Sequence, residues 1–283
     1  MLLAARAERV WPGLDDKRLT SWNALAMAAL AEAGAVLGRD DYLEAATQCA
    51  EFLLGTMRDD GRLLRTYKDG RAHLNAYLED HAFLIEALLV LYEADFDPRW
   101  FAAARELAET TIERFGDEER GGFYSTSADH ETLIARRKEV GDHPIPAGNS
   151  AAALGLLRLA ALSGEARFAE RARGVLALFG EPAVNHPDSF AHFLRALDFD
   201  LAATREVALV GADPSALLTV VRSTFRPDVV VASGPAGATE PPLLDARTEI
   251  GGEPAAYVCE GFTCQLPVTD PTALERELTE AQR

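Results

Sequence analysis

A repeated unit constrains this chain more than any other feature. Three times, apolar residues at helical spacing run into a tight turn, a second helical segment follows, and a longer polar connection leads on. The first pair runs from Ser21, a plausible N-cap, to about Leu37, turns at Gly38-Arg39-Asp40, and resumes from Asp41 to Met57. The second starts near Glu79, with Phe83, Leu84, Ala87, Leu88 and Leu91 on its apolar face. It breaks at Asp95-Phe96-Asp97-Pro98 and continues through Trp100, Phe101, Leu107 and Phe115. The third starts at Asn149 or Ser150, turns at Ser163-Gly164 and ends near Phe179. A further helix, capped by Asp188 or Ser189, ends near Asp200. The second members begin alike, with Asp41-Tyr42, Arg99-Trp100 and Arg167-Phe168. Short turns fall at one end of each unit and long polar connections at the other. A unit of this kind cannot bury its apolar stripe alone, so neighbours must stack. The expected fold is mainly α, a partial α/α toroid in which one helix of each pair lines the centre. About three and a half hairpins are present, against roughly six in a closed ring.

The helices that begin after long connections should be parallel neighbours. Their amino ends should therefore meet at one end of the molecule. The stretches that lead in are Leu14 to Asn23, Asp59 to Asn75, and the long segment Gly122 to Asn149. Long ordered loops in compact domains are uncommon and often functional. Within them, Lys68-Asp69-Gly70 predicts a hairpin, and Phe123-Ser125 with Leu133-Arg136 predicts a second small ribbon. After Ala203 the pattern changes. Glu206-Val210 and Val229-Ala232 read as buried strands around a helix from Asp213-Pro214 to Phe225, a βαβ-like unit. Ala256-Cys259 adds a strand and Pro271-Glu280 a terminal helix. The expected division is a helical portion over residues 1–203 and a small α/β unit over 204–283.

The chain is acidic, with a net charge of −17 over 283 residues. Nucleic-acid binding and an anionic membrane surface both call for a basic footprint, so neither partner is expected. No apolar run approaches a membrane span and no signal core opens the chain. Three cysteines, Cys49, Cys259 and Cys264, argue against a disulfide framework and fit a reducing cytoplasm. Cys259 and Cys264 lack a second pair or a histidine cluster, so no zinc site is expected; as a redox pair they lack the Cys-x-x-Cys spacing. No glycine-rich phosphate loop and no Gly-x-Ser-x-Gly elbow occurs. No metal or cofactor is expected.

Several motifs taken together resemble a known group. They are Leu14-Asp15-Asp16-Lys17, Leu19-Thr20-Ser21-Trp22-Asn23, Tyr77-Leu78-Glu79-Asp80, Gly121-Gly122-Phe123-Tyr124, Pro146-Ala147-Gly148-Asn149-Ser150 and Tyr257-Val258-Cys259. In this order they are similar to the uncharacterised thioredoxin-domain-containing family related to spermatogenesis-associated protein 20, over nearly the whole chain. The resemblance implies a toroid similar to six-hairpin glycosidases and N-acylglucosamine 2-epimerases. It also implies the carboxy-terminal portion of a longer protein, whose thioredoxin-like domain and first hairpins this chain lacks.

Sugar-processing toroids move protons with carboxylates or histidines at the mouth of the ring. The candidates here are Asp15, Asp16, Asp80, His81, Glu139, Asp142 and His143. Asp80 and His81 are the expected proton-transfer pair, with Asp16 as a third catalytic group; the competing reading has Asp80 cap a helix and His81 pack against the ribbon. Lys17, Trp22, Asn23, Tyr124, Glu139 and Asn149 are the expected substrate contacts. Trp22 would offer a flat face to a sugar ring, and Asn23 both a donor and an acceptor. The competing readings make Trp22 a buried anchor and Asn149 or Ser150 an N-cap. Arg136, Arg137 and Lys138 either hold an anion or form a solvated face. Two functions follow: a sugar epimerase or hydrolase, or a non-catalytic scaffold for a thioredoxin-like domain.

Overall fold

The computed structural model describes residues 1–130, 134–139 and 141–280. A short helix α1 (Leu2–Ala7) precedes strand β1 (Arg18–Leu19). The first hairpin is α2 (Thr20–Leu37) with α3 (Asp40–Gly55). Strands β2 (Arg58–Asp59), β3 (Arg62–Lys68) and β4 (Arg71–Asn75) lead to the second, α4 (Leu78–Asp95) with α5 (Pro98–Phe115). The long segment then leads to the third, α6 (Gly148–Ser163) with α7 (Ala166–Asn185), and to α8 (Ala191–Leu201). The α/β unit follows as β5 (Arg205–Val210), α9 (Ser215–Arg222), β6 (Val229–Gly234), β7 (Ala255–Glu260), β8 (Thr263–Cys264) and α10 (Pro271–Glu280).

The tight turns stop each first helix with a left-handed residue. Gly38, Phe96 and Gly164 hold those positions, and the backbone N–H of each closes the last helical turn. Asp97 then caps α5 ahead of Pro98. Helices α2, α4, α6 and α8 form a row in which each packs on the next, with α3, α5 and α7 behind them. Composition follows position. Most residues of α4 and α6 are buried, whereas α5 and α7 carry one apolar face and one charged face.

Two glycines set the register of the row. A Cβ on Gly148 would lie 3.1 Å from the Glu79 backbone nitrogen, and one on Gly155 would lie 3.4 Å from Glu86 Cγ and 3.1 Å from Ile85. Seven residues separate the glycines and seven separate the glutamates, so α6 runs parallel to α4 and close to it. The three helix beginnings do meet at one end, since the Ser21 backbone N–H donates to Asp80 and Gly148 rests on Leu78 and Glu79.

Strands β1, β2 and β4 all pair antiparallel with β3 and cover that end of the row. The ribbon predicted at Phe123–Ser125 and Leu133–Arg136 is not formed as strands. Phe123 makes a single bridge to Gly116, and residues 134–139 carry no strand; Leu133 lies outside the described residues. In the α/β unit, β5 and β6 are parallel through α9, and β7 and β8 extend the sheet antiparallel to give the order β6-β5-β7-β8. One sheet face buries Val207, Leu209, Val231 and Val258 under α9 and α10. The other places Ala208, Val210, Val230 and Ala232 in the main helical core. The cysteine count argues against a disulfide framework, but one disulfide is present: Cys259 and Cys264 are bonded, because they sit directly opposite each other across β7 and β8. No described helix is long and apolar enough to cross a membrane.

Candidate functional site

Asp80 stands at the centre of the helix beginnings and is completely buried. Its Oδ1 accepts from the Ser21 backbone N–H (3.0 Å), and its Oδ2 from the Tyr77 N–H (2.9 Å) and Arg65 Nη1 (2.8 Å). Burial pushes the carboxyl upward, while Arg65 and the Tyr77 N–H pull it down. These three bonds join α2, α4 and β3. His81 is 5% exposed; its Nδ1 lies 3.1 Å from the Tyr77 carbonyl oxygen and its ring packs on Phe115. Burial lowers its pKa to about 4, so the ring is neutral. It lines a small cavity of about 20 Å³ together with Thr110 and Arg114 of α5. One position from Glu79 turns the chain by about 100° and two by about 200°, so Asp80 and His81 point into the wall of the row.

The other expected contacts are distributed more widely. Asn149 is sealed: its Oδ1 accepts from Phe123 N–H (2.8 Å) and its Nδ2 donates to the carbonyls of Phe123 (2.9 Å) and Glu139 (3.1 Å). It therefore ties Phe123 and Glu139 of the long segment to the start of α6, and Glu139 enters through its backbone rather than its carboxylate. Tyr124 donates to Asp117 (2.8 Å), which also pairs with Lys138, and its ring lies under the Arg136 guanidinium. The basic run thus braces its own segment. Asp16 pairs with Lys68 and Lys17 with Asp15, all on exposed side chains beside β3. Asn23 donates back to the Leu19 carbonyl. Trp22 is 61% exposed on the first turn of α2, so it is not a buried anchor.

The structure brings together a set that sequence reasoning passed over. Along α4 from Leu78 to Ala94, only Glu79, Glu86, Val90 and Glu93 are not buried, and they form one stripe. With α2 and α6 alongside and α5 behind, that stripe is the inner face of the row. Each glutamate on it meets a basic side chain from another element: Glu79 with Arg65 of β3 (2.8 Å), Glu86 with His192 of α8 (3.1 Å), Glu93 with Arg158 of α6 (2.6 Å). The Glu93–Arg158 tier is packed under the α/β unit, where burial pushes Glu93 up against the pull of Arg158, and Arg222 donates to the Glu93 and Ala94 carbonyls. The middle tier is different. Glu86 and His192 side chains are each 12% exposed, and His192 Nε2 lies 3.1 Å from both carboxylate oxygens of Glu86.

His192 is placed with care. Asp142, from the long segment, accepts from the backbone N–H groups of His192 (2.8 Å) and Phe193 (3.2 Å) at the start of α8, and from Ala147 N–H ahead of α6 (2.8 Å). Arg195 Nη1 lies 3.3 Å from His192 Nδ1. His143, the other expected group here, contributes a backbone contact to Ile145. The carboxylate on Nε2 fixes the ring, and the Arg195 guanidinium borders its other nitrogen. The signal available in sequence was the spacing of seven that repeats Glu79, Glu86 and Glu93 along a mostly apolar helix.

Comparisons with known proteins bear on the fold. Residues 13–139 match the family model for N-acylglucosamine 2-epimerase. The chain is 33% identical to human spermatogenesis-associated protein 20 over 98% of its own length and 31% identical to the rat protein over the same share. It spans 38% of the length of each. Among solved structures, a D-mannose isomerase superposes with a TM-score of 0.50 at 14% identity, covering 62% of this chain and 47% of that one. The chain is homologous to spermatogenesis-associated protein 20 and carries an N-acylglucosamine 2-epimerase-like domain within a partial six-hairpin glycosidase-like toroid, followed by a small α/β unit.

Proposed function

We propose that this chain is a sugar-processing toroid that moves a proton on its substrate at the inner face of the helix row, with Glu86 and His192 as the working pair. One observation carries the reading: the His192–Glu86 contact joins α8 to α4 on the inner face, partly open to water and fixed from behind by Asp142. His192 acts as base or acid, and Glu86 orients it and balances the charge it gains. The match to an N-acylglucosamine 2-epimerase model and the likeness to a D-mannose isomerase fold favour epimerisation or isomerisation of a free sugar. Hydrolysis needs two carboxylates flanking one bond. Here the neighbouring glutamate, Glu79, is already paired with Arg65 about 10 Å along the helix, which favours proton shuffling over hydrolysis. Trp22 would supply a face for the sugar ring at the open end.

The test is proton exchange in heavy water, followed by NMR, on a panel of free sugars and N-acetylhexosamines. The intact chain should place deuterium on a sugar carbon, and His192→Asn should lower the rate by at least about a hundredfold, the usual worth of a positioned acid–base group. No exchange and no binding with any sugar would overturn the reading. The scaffold alternative has its own observation: Trp22, Ala26, Ala29, Val36 and Leu37 leave an exposed apolar stripe on α2. That face would bury a thioredoxin-like partner, and its signature would be binding lost on Trp22→Ala with no sugar chemistry in any variant.

A further inference from the structure

The disulfide between Cys259 and Cys264 has an unusual companion. Arg247, in the loop before β7, directs Nη2 at both sulfurs, 3.4 Å from Cys259 Sγ and 3.0 Å from Cys264 Sγ. Disulfide sulfur is a weak acceptor for a guanidinium. The rest of the cation is poorly served. Its Nη1 donates to the Asp245 carbonyl (3.2 Å), its Nε is buried without a partner, and its ring neighbour is Tyr257. Among the described residues no carboxylate lies within ion-pair distance of it. Glu206, opposite Cys259 across the sheet, spends its carboxylate on the Phe262 N–H, while Glu260 is exposed. Asp245 meets Arg247 through its backbone. A half-buried cation thus sits on the two sulfurs without a direct ion pair, and the Glu206 and Asp245 carboxylates act on it only at longer range. Cys259 is 2% exposed, whereas Cys264 on the edge strand is partly open.

We propose that Cys259 and Cys264 form a redox-active thiol–disulfide site, which accepts a dithiol reductant at Cys264 and uses Arg247 to hold the thiolate released from Cys259. A thiolate of the reductant attacks Cys264 Sγ, the Cys259–Cys264 bond breaks, and its electron pair leaves on Cys259 beside the guanidinium. The second thiol of the reductant, losing its proton to solvent, attacks the reductant's own sulfur in the mixed disulfide and frees Cys264, which takes up a proton. The net change is one protein disulfide and one dithiol converted to two protein thiols and one cyclic disulfide, with two electrons passed to the protein. Reduction supplies an anion in direct contact with Arg247, so the guanidinium favours both the leaving group and the reduced state.

The experiment uses the whole chain with Cys49 replaced by serine, dithiothreitol as the dithiol, and maleimide mass shift to count thiols. Two thiols should appear without denaturant. Arg247→Gln should slow their appearance about tenfold, since leaving-group acidity sets the rate, and Arg247→Lys should stay near the parent rate. Thiols that appear only after unfolding, or an Arg247→Gln rate equal to the parent, would overturn the proposal. If Arg247→Gln does not fold, alkylation of the reduced parent chain against pH decides the matter. One thiol reacting well below the ordinary range near ~8.5 supports the site, and two ordinary thiols overturn it.

Discussion

Replacing Asp80 by alanine removes the acceptor that ties three elements together. The Ser21 and Tyr77 backbone N–H groups lose their buried partner, and Arg65 loses one of its two carboxylates but keeps Glu79. A buried donor left unsatisfied costs about 1–3 kcal/mol, and breaking a buried ion pair adds to this, tempered here because Arg65 retains a partner. The loss works out at about 4 kcal/mol, or a melting temperature lower by about 8 °C at roughly 2 °C per kcal/mol for a chain of this size. Asp80→Asn keeps one acceptor oxygen and should lose about half as much. Differential scanning calorimetry reads both. An Asp80→Ala chain melting within about 2 °C of the parent would refute the assignment of Asp80 to the wall.

His81 makes stability depend on pH in a defined window. Its folded pKa, about 4, lies below its ordinary value of 6.5, so the fold binds fewer protons than the unfolded chain between the two. Its contribution is present above about pH 6.5 and is lost as pH falls towards 4, amounting to about 3 kcal/mol in full. Urea unfolding across that range should show His81→Gln with a shallower loss than the parent; identical slopes would count against a buried neutral ring. Asn149→Ala removes three buried hydrogen bonds that hold the long segment. It should cost about 2–4 kcal/mol, and limited proteolysis should cut faster between Gly122 and Asn149 than in the parent.

The helical row was legible because its cues are local. Apolar spacing marked each helix and glycine or Phe-Asp-Pro turns marked the ends, and the similar starts of α3, α5 and α7 showed the repeat. Ser21 was misplaced as a cap because the structure uses Thr20 differently: its hydroxyl donates to the Leu64 carbonyl from the first helical position. The site was less legible for a physical reason. His192 and Glu86 lie 106 residues apart, and nothing local announces a partner at that distance. Asp80 and His81, adjacent and polar at a helix start, drew attention to the chemistry of a cap. The loop charges misled in the same way, since Arg136, Lys138 and Asp142 spend themselves on carbonyls, Asp117 and backbone N–H groups. The disulfide was missed because pairing depends on the opposed register of β7 and β8, which spacing alone does not show.

His192 and His81 are set on opposite sides of the same wall, and this contrast tests the assignment of chemistry to the inner face. Sugar proton exchange and melting temperature would be measured side by side for His192→Asn and His81→Gln in the intact chain. Exchange abolished with melting preserved in the first, and melting lowered with exchange retained in the second, is the result these positions require. The opposite pattern would place the chemistry inside the wall and contradict the account.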